Sequence, residues 1–188
     1  MKKLIISFIF LISLFGTTFA NEVNTYFGLS LEGAFVPHRG FGENCAPIRP
    51  SIMVGFDTFK ENKNIGFHLS GNFLPIGWNT NSDSDESAAD TLFGISISLL
   101  LGPSLKLGKS IYISPGLSMG AALFGSDKST MTDSYIGVGL NTSFATSKYF
   151  LWTFSFDYYP LYHYSSTGSK SINERDRLVR FGLCLSFF

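Results

Sequence analysis

The chain has 188 residues, of which 45% are hydrophobic, 16% aromatic and 15% charged, and its mean hydropathy is +0.19. That length fits one domain, and the apolar content excludes a disordered tail protein. Basic and acidic residues balance at 14 each, so nothing points to the clustered cationic surface that nucleic acid requires.

Lys2 and Lys3 precede an apolar stretch from Leu4 to Phe15, and Thr18-Phe19-Ala20 puts small residues at the two positions a signal peptidase reads. Residues 1–20 therefore read as an export signal, with a retained N-terminal helix as the alternative. Residues 21–188 form the mature domain, whose formal charge is −2 once Lys2 and Lys3 are gone. No cysteine follows the apolar stretch to suggest a lipid anchor. Past this point no uninterrupted apolar run approaches the ~20 residues a spanning helix needs. The 20 Phe, 8 Tyr and 19 Gly favour strands.

Apolar residues then alternate with others in eight segments. In the first, Thr25 to Val36, Phe27, Leu29, Leu31 and Phe35 oppose Tyr26, Gly28, Ser30, Glu32 and Ala34. The second, Ile48 to Phe59, sets Ile52, Val54 and Phe56 against Arg49, Ser51, Met53, Gly55 and Asp57. The third, Ile65 to Ile76, sets Phe67, Leu69 and Phe73 against His68, Ser70 and Asn72. The fourth alternates Phe93, Ile95, Ile97, Leu99 and Leu101 with Gly94, Ser96, Ser98, Leu100 and Gly102.

The fifth segment carries Ile111, Ile113, Leu117 and Met119 against Tyr112, Ser114, Gly116 and Ser118. The sixth has Ile136, Val138, Leu140 and Phe144 against Tyr135, Gly137, Gly139, Asn141 and Ser143. In the seventh, Phe150, Trp152, Phe154, Phe156 and Tyr158 face away from Leu151, Thr153, Ser155, Asp157 and Tyr159. The eighth sets Val179, Phe181, Leu183, Leu185 and Phe187 against Arg180, Gly182, Cys184 and Ser186. Pro115 removes a ladder donor in mid-strand, which predicts a bulge or local break.

The second face decides the architecture. A soluble sandwich or lipocalin-like barrel, the alternative, carries Lys, Glu, Thr and Arg on its wet face. Here that face is mostly Gly, Ser and Asn, which suits a narrow interior, and the Phe/Ile/Leu face is then outermost, tenable only against lipid. The expected fold is all-β: an eight-stranded antiparallel transmembrane up-and-down β-barrel. Connectors 37–47, 77–90, 123–133 and 163–177 are long, and 60–64, 103–110 and 145–149 are shorter, which puts four loops outside the cell and the turns in the periplasm. Phe35, Trp78, Tyr158 and Tyr162 are expected in an outer aromatic girdle, and Phe59, Phe67, Tyr149, Trp152 and Phe187 in an inner one.

These segments, the export signal and the terminal Phe188 resemble the small eight-stranded bacterial outer-membrane barrels that include the A-, X- and W-type proteins. Phe188 lies one residue out of phase with the row ending at Phe187. The resemblance implies recognition of the C-terminal strand by the barrel-assembly machinery, outer-membrane lipid as surroundings, and a location in the outer membrane of a Gram-negative-type bacterium.

Inward-facing charges are the first candidates for function. Glu32, Asp157 and Arg180 fall at similar heights on strands that become neighbours on closure, with Arg49 higher, and a low-dielectric lumen demands that they pair. His163 and Ser165, followed by Glu174 and Asp176, form the one hydrolase-like constellation. The His-x-Ser resembles that of outer-membrane lipid A deacylases, although Ser166 replaces that family's Asn, its carboxylate spacing falls on Arg177, and alternation from Phe156 aims His163 into the lumen. Asp83, Asp85, Glu86 and Asp90 read as a solvated acidic loop. His38 and His68 lack a second ligand at metal spacing, so no metal or cofactor is expected.

Cys45, on an exterior loop, and Cys184, low on the last strand, are too far apart for a disulfide. The expected function is non-enzymatic: a monomeric structural or adhesin-like surface barrel whose four loops meet host or environmental ligands. Two alternatives stay open, a W-type path for small apolar molecules and a deacylase-like hydrolase.

Overall fold

The structure, a computed structural model, describes residues 22–35, 46–80, 91–125, 130–167 and 172–187. Its strands are β1 (Glu22–Phe35), β2 (Ala46–Phe59), β3 (Ile65–Thr80), β4 (Thr91–Leu107), β5 (Ile111–Gly125), β6 (Thr130–Ala145), β7 (Phe150–Thr167) and β8 (Ile172–Phe187). Each pairs antiparallel with the next, and β8 returns to β1 from Phe27 opposite Phe187 to Phe35 opposite Val179. The result is a closed eight-stranded up-and-down barrel. Closure satisfies the backbone groups that an open sheet would leave bare in hydrocarbon.

The pleat puts the apolar row outside. Ile97 is 50% exposed while its neighbour Ser98 is 2% exposed, and Leu29, Ile65 and Leu161 each reach two-thirds exposure. Inward positions are small or hydrogen-bonded: Ser104, Ser118 and Ser186 are fully enclosed. An apolar belt around the whole circumference is a liability in water and the stable arrangement in lipid.

Two positive-φ residues make tight turns between strands. Asn62 has φ 59° in the β2–β3 turn, where Lys63 N donates to Lys60 O at 2.9 Å, and Gly108 has φ 67° in the β4–β5 turn. Both are types that tolerate the left-handed region. In the β6–β7 turn the Ser147 hydroxyl accepts from the amides of Tyr149 and Phe150.

The strands outrun the alternation. β3, β5 and β7 continue to Thr80, Gly125 and Thr167, and β6 and β8 begin at Thr130 and Ile172, so the expected connectors 77–90, 123–133 and 163–177 shrink to 81–90, 126–129 and 168–171. The paired ladder persists through Gly125–Thr130 and Thr130–Thr167. Pairing needs only backbone groups, whereas alternation needs lipid on one side. Polar residues such as Thr132 and Ser134, both exposed, therefore hide a strand that has left the bilayer.

Prolines act differently from one another. Expected to bulge or break its strand, Pro115 leaves β5 continuous and in unbroken register with β6. Its effect is a gap in the β4–β5 ladder between the pairs Leu101–Leu117 and Leu105–Ile113, with register retained on both sides. Pro103 stands opposite it in that register, so both missing donors fall in one gap. Gly102 and Gly116 flank it, and a Cβ on either would collide with the facing strand's backbone. Register shifts occur instead at Leu74/Gly77, which spans Pro75, and at Tyr159/Tyr162, which spans Pro160.

Two girdle expectations are corrected. Phe59 is 1% exposed and packs inside the barrel 5.9 Å from Tyr112, because it continues the inward row of Met53, Gly55 and Asp57 and finds room over Gly66. Tyr162 turns inward against Tyr135, Tyr159 and Leu178, because the Pro160 bulge shifts the pleat by one residue. Phe67, Tyr149, Trp152 and Phe187 do lie on the outer surface. The side chains of Phe35 and Trp78, and Phe188, are outside the described residues.

Candidate functional site

The lumen holds two polar clusters at different heights. In the upper one Asp157 on β7 and Arg180 on β8 are direct cross-strand partners. Arg180 donates through Nη2 and Nε to Asp157 Oδ2 at 3.1 and 3.3 Å, and its Nη1 lies 3.8 Å from Glu32 Oε2. The Ser51 hydroxyl donates to Glu32 Oε1 at 2.8 Å. Gly139, opposite Asp157 on β6, leaves the space that the Asp157 carboxylate occupies, since a Cβ there would collide with Asp157 Oδ1. Arg180 lies beside a pair of rings whose centroids are 4.6 Å apart, its Cζ 5.6 Å from the centroid of Tyr135 and 5.5 Å from that of Tyr159. The Tyr159 and Ser118 hydroxyls are 2.8 Å apart. Arg49 pairs through its backbone with Glu32; its side chain is outside the described residues.

The lower cluster was not visible in the sequence as a unit. Asp57 and His68 face each other across β2–β3, and Asp57 Oδ1 is 2.9 Å from His68 Nδ1. His68 Nε2 is 2.9 Å from Ser70 Oγ, which also accepts from Asn141 Nδ2 at 2.9 Å. The Tyr26 ring stacks on His68 at 6.4 Å. All four polar residues are buried. The Asp–His–Ser order matches an acyl-transfer relay in connectivity. Packed around it, however, is an apolar cluster of Tyr26, Met53, Phe59, Tyr112, Leu151 and Cys184, and Ser70, itself buried, serves as a structural link. The hairpin could have revealed the first pair: Asp57 and His68 both occupy inward rows and are joined by a short turn.

The hydrolase candidates fall elsewhere. The β7 bulge reverses the face expected for His163: it registers with exposed Ser134 on β6 and exposed Arg175 on β8, hence on the outward row, as does Ser165 two residues on, both at the edge of the apolar belt. Glu174 holds the register position opposite Tyr164, while the position opposite His163 belongs to Arg175. Cys184 is a free, buried thiol with Sγ 3.1 Å from Ser186 Oγ; Cys45, His38 and the acidic residues 83–90 are outside the described residues. No cluster of three or more His, Cys, Asp or Glu side chains suited to a metal occurs among the described residues.

On the outer wall a groove of about 580 Å³ crosses β4 to β8 near the Pro160 bulge, lined mostly by apolar side chains with His163, Arg175 and Asp176 at one end.

No protein-family model matches the sequence, and no curated protein does. Among solved structures the chain is similar to Ail, the attachment invasion locus protein of Yersinia pestis, at 14% identity and TM-score 0.54. The match covers 88% of this chain and 96% of the Ail chain in its complex with the heparin analogue sucrose octasulfate, and 89% and 98% for Ail alone. Neisserial surface protein A (NspA) aligns at 13% identity and TM-score 0.44, over 89% of this chain and 97% of that one. The closed eight-strand topology with its apolar exterior, together with the Ail match, shows the fold of the small eight-stranded outer-membrane barrels.

Proposed function

We propose that the chain is an integral outer-membrane barrel with a non-enzymatic surface role, in which the exterior strand ends and connectors meet environmental or host molecules. The observation that carries this reading is the filled lumen. Arg180, its two carboxylates and the paired tyrosines occupy the upper half, and the apolar cluster occupies the lower, as in barrels of this width whose interiors are packed by side chains. The attachment role in the name of the Yersinia protein belongs to that protein; here it gives the class of function to test. An export signal over residues 1–20, assembly through the C-terminal strand and a monomeric state belong to the same proposal.

Two experiments test it. Liposomes carrying the refolded chain should retain small sugars as well as empty liposomes do; rapid leakage would favour a transport path. Cells of a non-adherent bacterium displaying the chain should bind epithelial monolayers, and replacing residues 81–90 with a Gly-Ser linker should reduce that binding. Equal binding with and without the chain would contradict the surface role.

A hydrolase remains the second reading because His163 and Ser165 share the outward row at the edge of the apolar belt. Arg175 opposite His163 is unsuited to orient an imidazole as a carboxylate would. Ser165→Ala should leave lipid A acylation unchanged when the chain is expressed; a fully acylated profile restored only by that substitution would establish deacylation.

A further inference from the structure

We propose that the groove on the outer wall binds a single membrane lipid whose phosphate sits at Arg175 and His163 and whose acyl chain lies across β4 to β7. This rests on the membrane-spanning reading above and names a ligand for one patch of that surface. Ile97, Met119, Ala121, Ile136 and Leu161 line the groove. Ile97, Ala121, Ile136 and Leu161 are exposed there, with Met119 half-buried, and all belong to the row that faces hydrocarbon. Ala121 is small among large neighbours, which makes the depression.

The cationic end is fixed by register. Ile97–Ala121–Ser134–His163–Arg175 is one continuous register row beside the row Leu99–Met119–Ile136–Leu161, so the charged side chains stand at the β7–β8 end of the groove, where β6 to β8 lose their hydrophobic alternation. Arg177, also exposed on the outward row of β8, lies one step further down. An outward arginine at the rim of the hydrocarbon is costly unless it meets an anion. Guanidinium groups bind phosphate oxygens through charge-assisted, often paired hydrogen bonds. Asp176 lies at the same end but holds the inward register position opposite Tyr162 and accepts from Arg177 N at 2.7 Å, so the outward side chains there are His163, Arg175 and Arg177. A site greasy along its length with these at its headgroup end fits a phosphorylated lipid and not a soluble anion.

The bulge at Tyr159/Tyr162 creates the arrangement. Without its extra residue, His163 would point into the lumen and the basic end would be lost.

The test uses the full barrel refolded in maltoside micelles, incubated with dipalmitoyl phosphatidate and read by native mass spectrometry. The wild type should retain one phosphatidate. Arg175→Ala should lower occupancy about tenfold, the loss of one charge-assisted hydrogen bond, and Ala121→Trp, which fills the groove from an exposed position, should lower it as much with the basic end intact. Dipalmitoylglycerol, with the same chains and no phosphate, should be retained at least tenfold less, and equimolar inorganic phosphate should not displace the lipid. Equal phosphatidate retention by the wild type and both variants overturns the site, as does equal retention of the diacylglycerol. A chain that fails to insert into vesicles and shows no boiling-dependent gel shift overturns the membrane reading and the site with it, whereas insertion with indifferent lipid binding overturns the site alone.

Discussion

The upper and lower halves of the lumen solve one packing problem by different means. Above, a permanently charged arginine is held by two carboxylates and two tyrosine rings. Below, one carboxylate faces a histidine whose other nitrogen shares a serine hydroxyl with an asparagine amide, and aromatic and aliphatic side chains seal the rest. The upper half depends on opposite charges finding each other in a low dielectric, where deleting one partner strands the others. The lower half depends on short polar links, each of which is worth less than a buried charge that loses its partner. The difference predicts an unequal response to substitution.

The largest effect is expected at Arg180. Arg180→Leu leaves buried Asp157 and half-buried Glu32 without their cation and should cost about 3–5 kcal/mol, measured by urea unfolding of the barrel in vesicles. Adding Asp157→Leu should recover part of that loss, since a buried pair replaced by apolar groups is less harmful than one broken. A smaller effect is expected in the lower cluster, where Ser70→Ala removes the hydroxyl shared by His68 and Asn141, which stay in direct contact at 3.2 Å, and should cost about 1–3 kcal/mol. If Ser70→Ala proved as damaging as Arg180→Leu, the contrast between the halves would fail. The smallest effect belongs at the rim, where Lys106 Nζ meets Glu22 Oε1 at 2.6 Å in a partly exposed pair. Lys106→Ala should cost no more than about 1 kcal/mol, and less still at 1 M salt.

The fold was legible because lipid on one side and a crowded axis on the other impose a strict period of two. Ile95 and Ile97 beside Ser98 already carry that information. Strand length was less legible, since beyond the bilayer both faces meet water and nothing marks Thr130 or Ser165 as strand. The faces of Tyr162 and His163 were illegible for a different reason: a single bulge at Pro160 shifts the pleat, and Pro160 is flanked by residues that fit either face. Pro115, by contrast, stands out in the sequence but is accommodated beside Pro103 without a shift. Asp157 and Arg180 could be matched because inward charges are few. The link from His68 to Asn141 joins β3 to β6 across the lumen, which no local pattern records.

The orientation of the two rows can be measured directly. In a Cys45→Ser/Cys184→Ser background, single nitroxide labels at Ile97 and Ile136 and, separately, at Ser98 and Ser118 would be compared in vesicles for relaxation by dissolved oxygen and by a water-soluble nickel chelate. Labels at 97 and 136 should respond strongly to oxygen and little to nickel, and labels at 98 and 118 should be shielded from the oxygen-rich bilayer. Strong oxygen relaxation at 98 and 118, with 97 and 136 shielded, would contradict the placement of the apolar row against lipid.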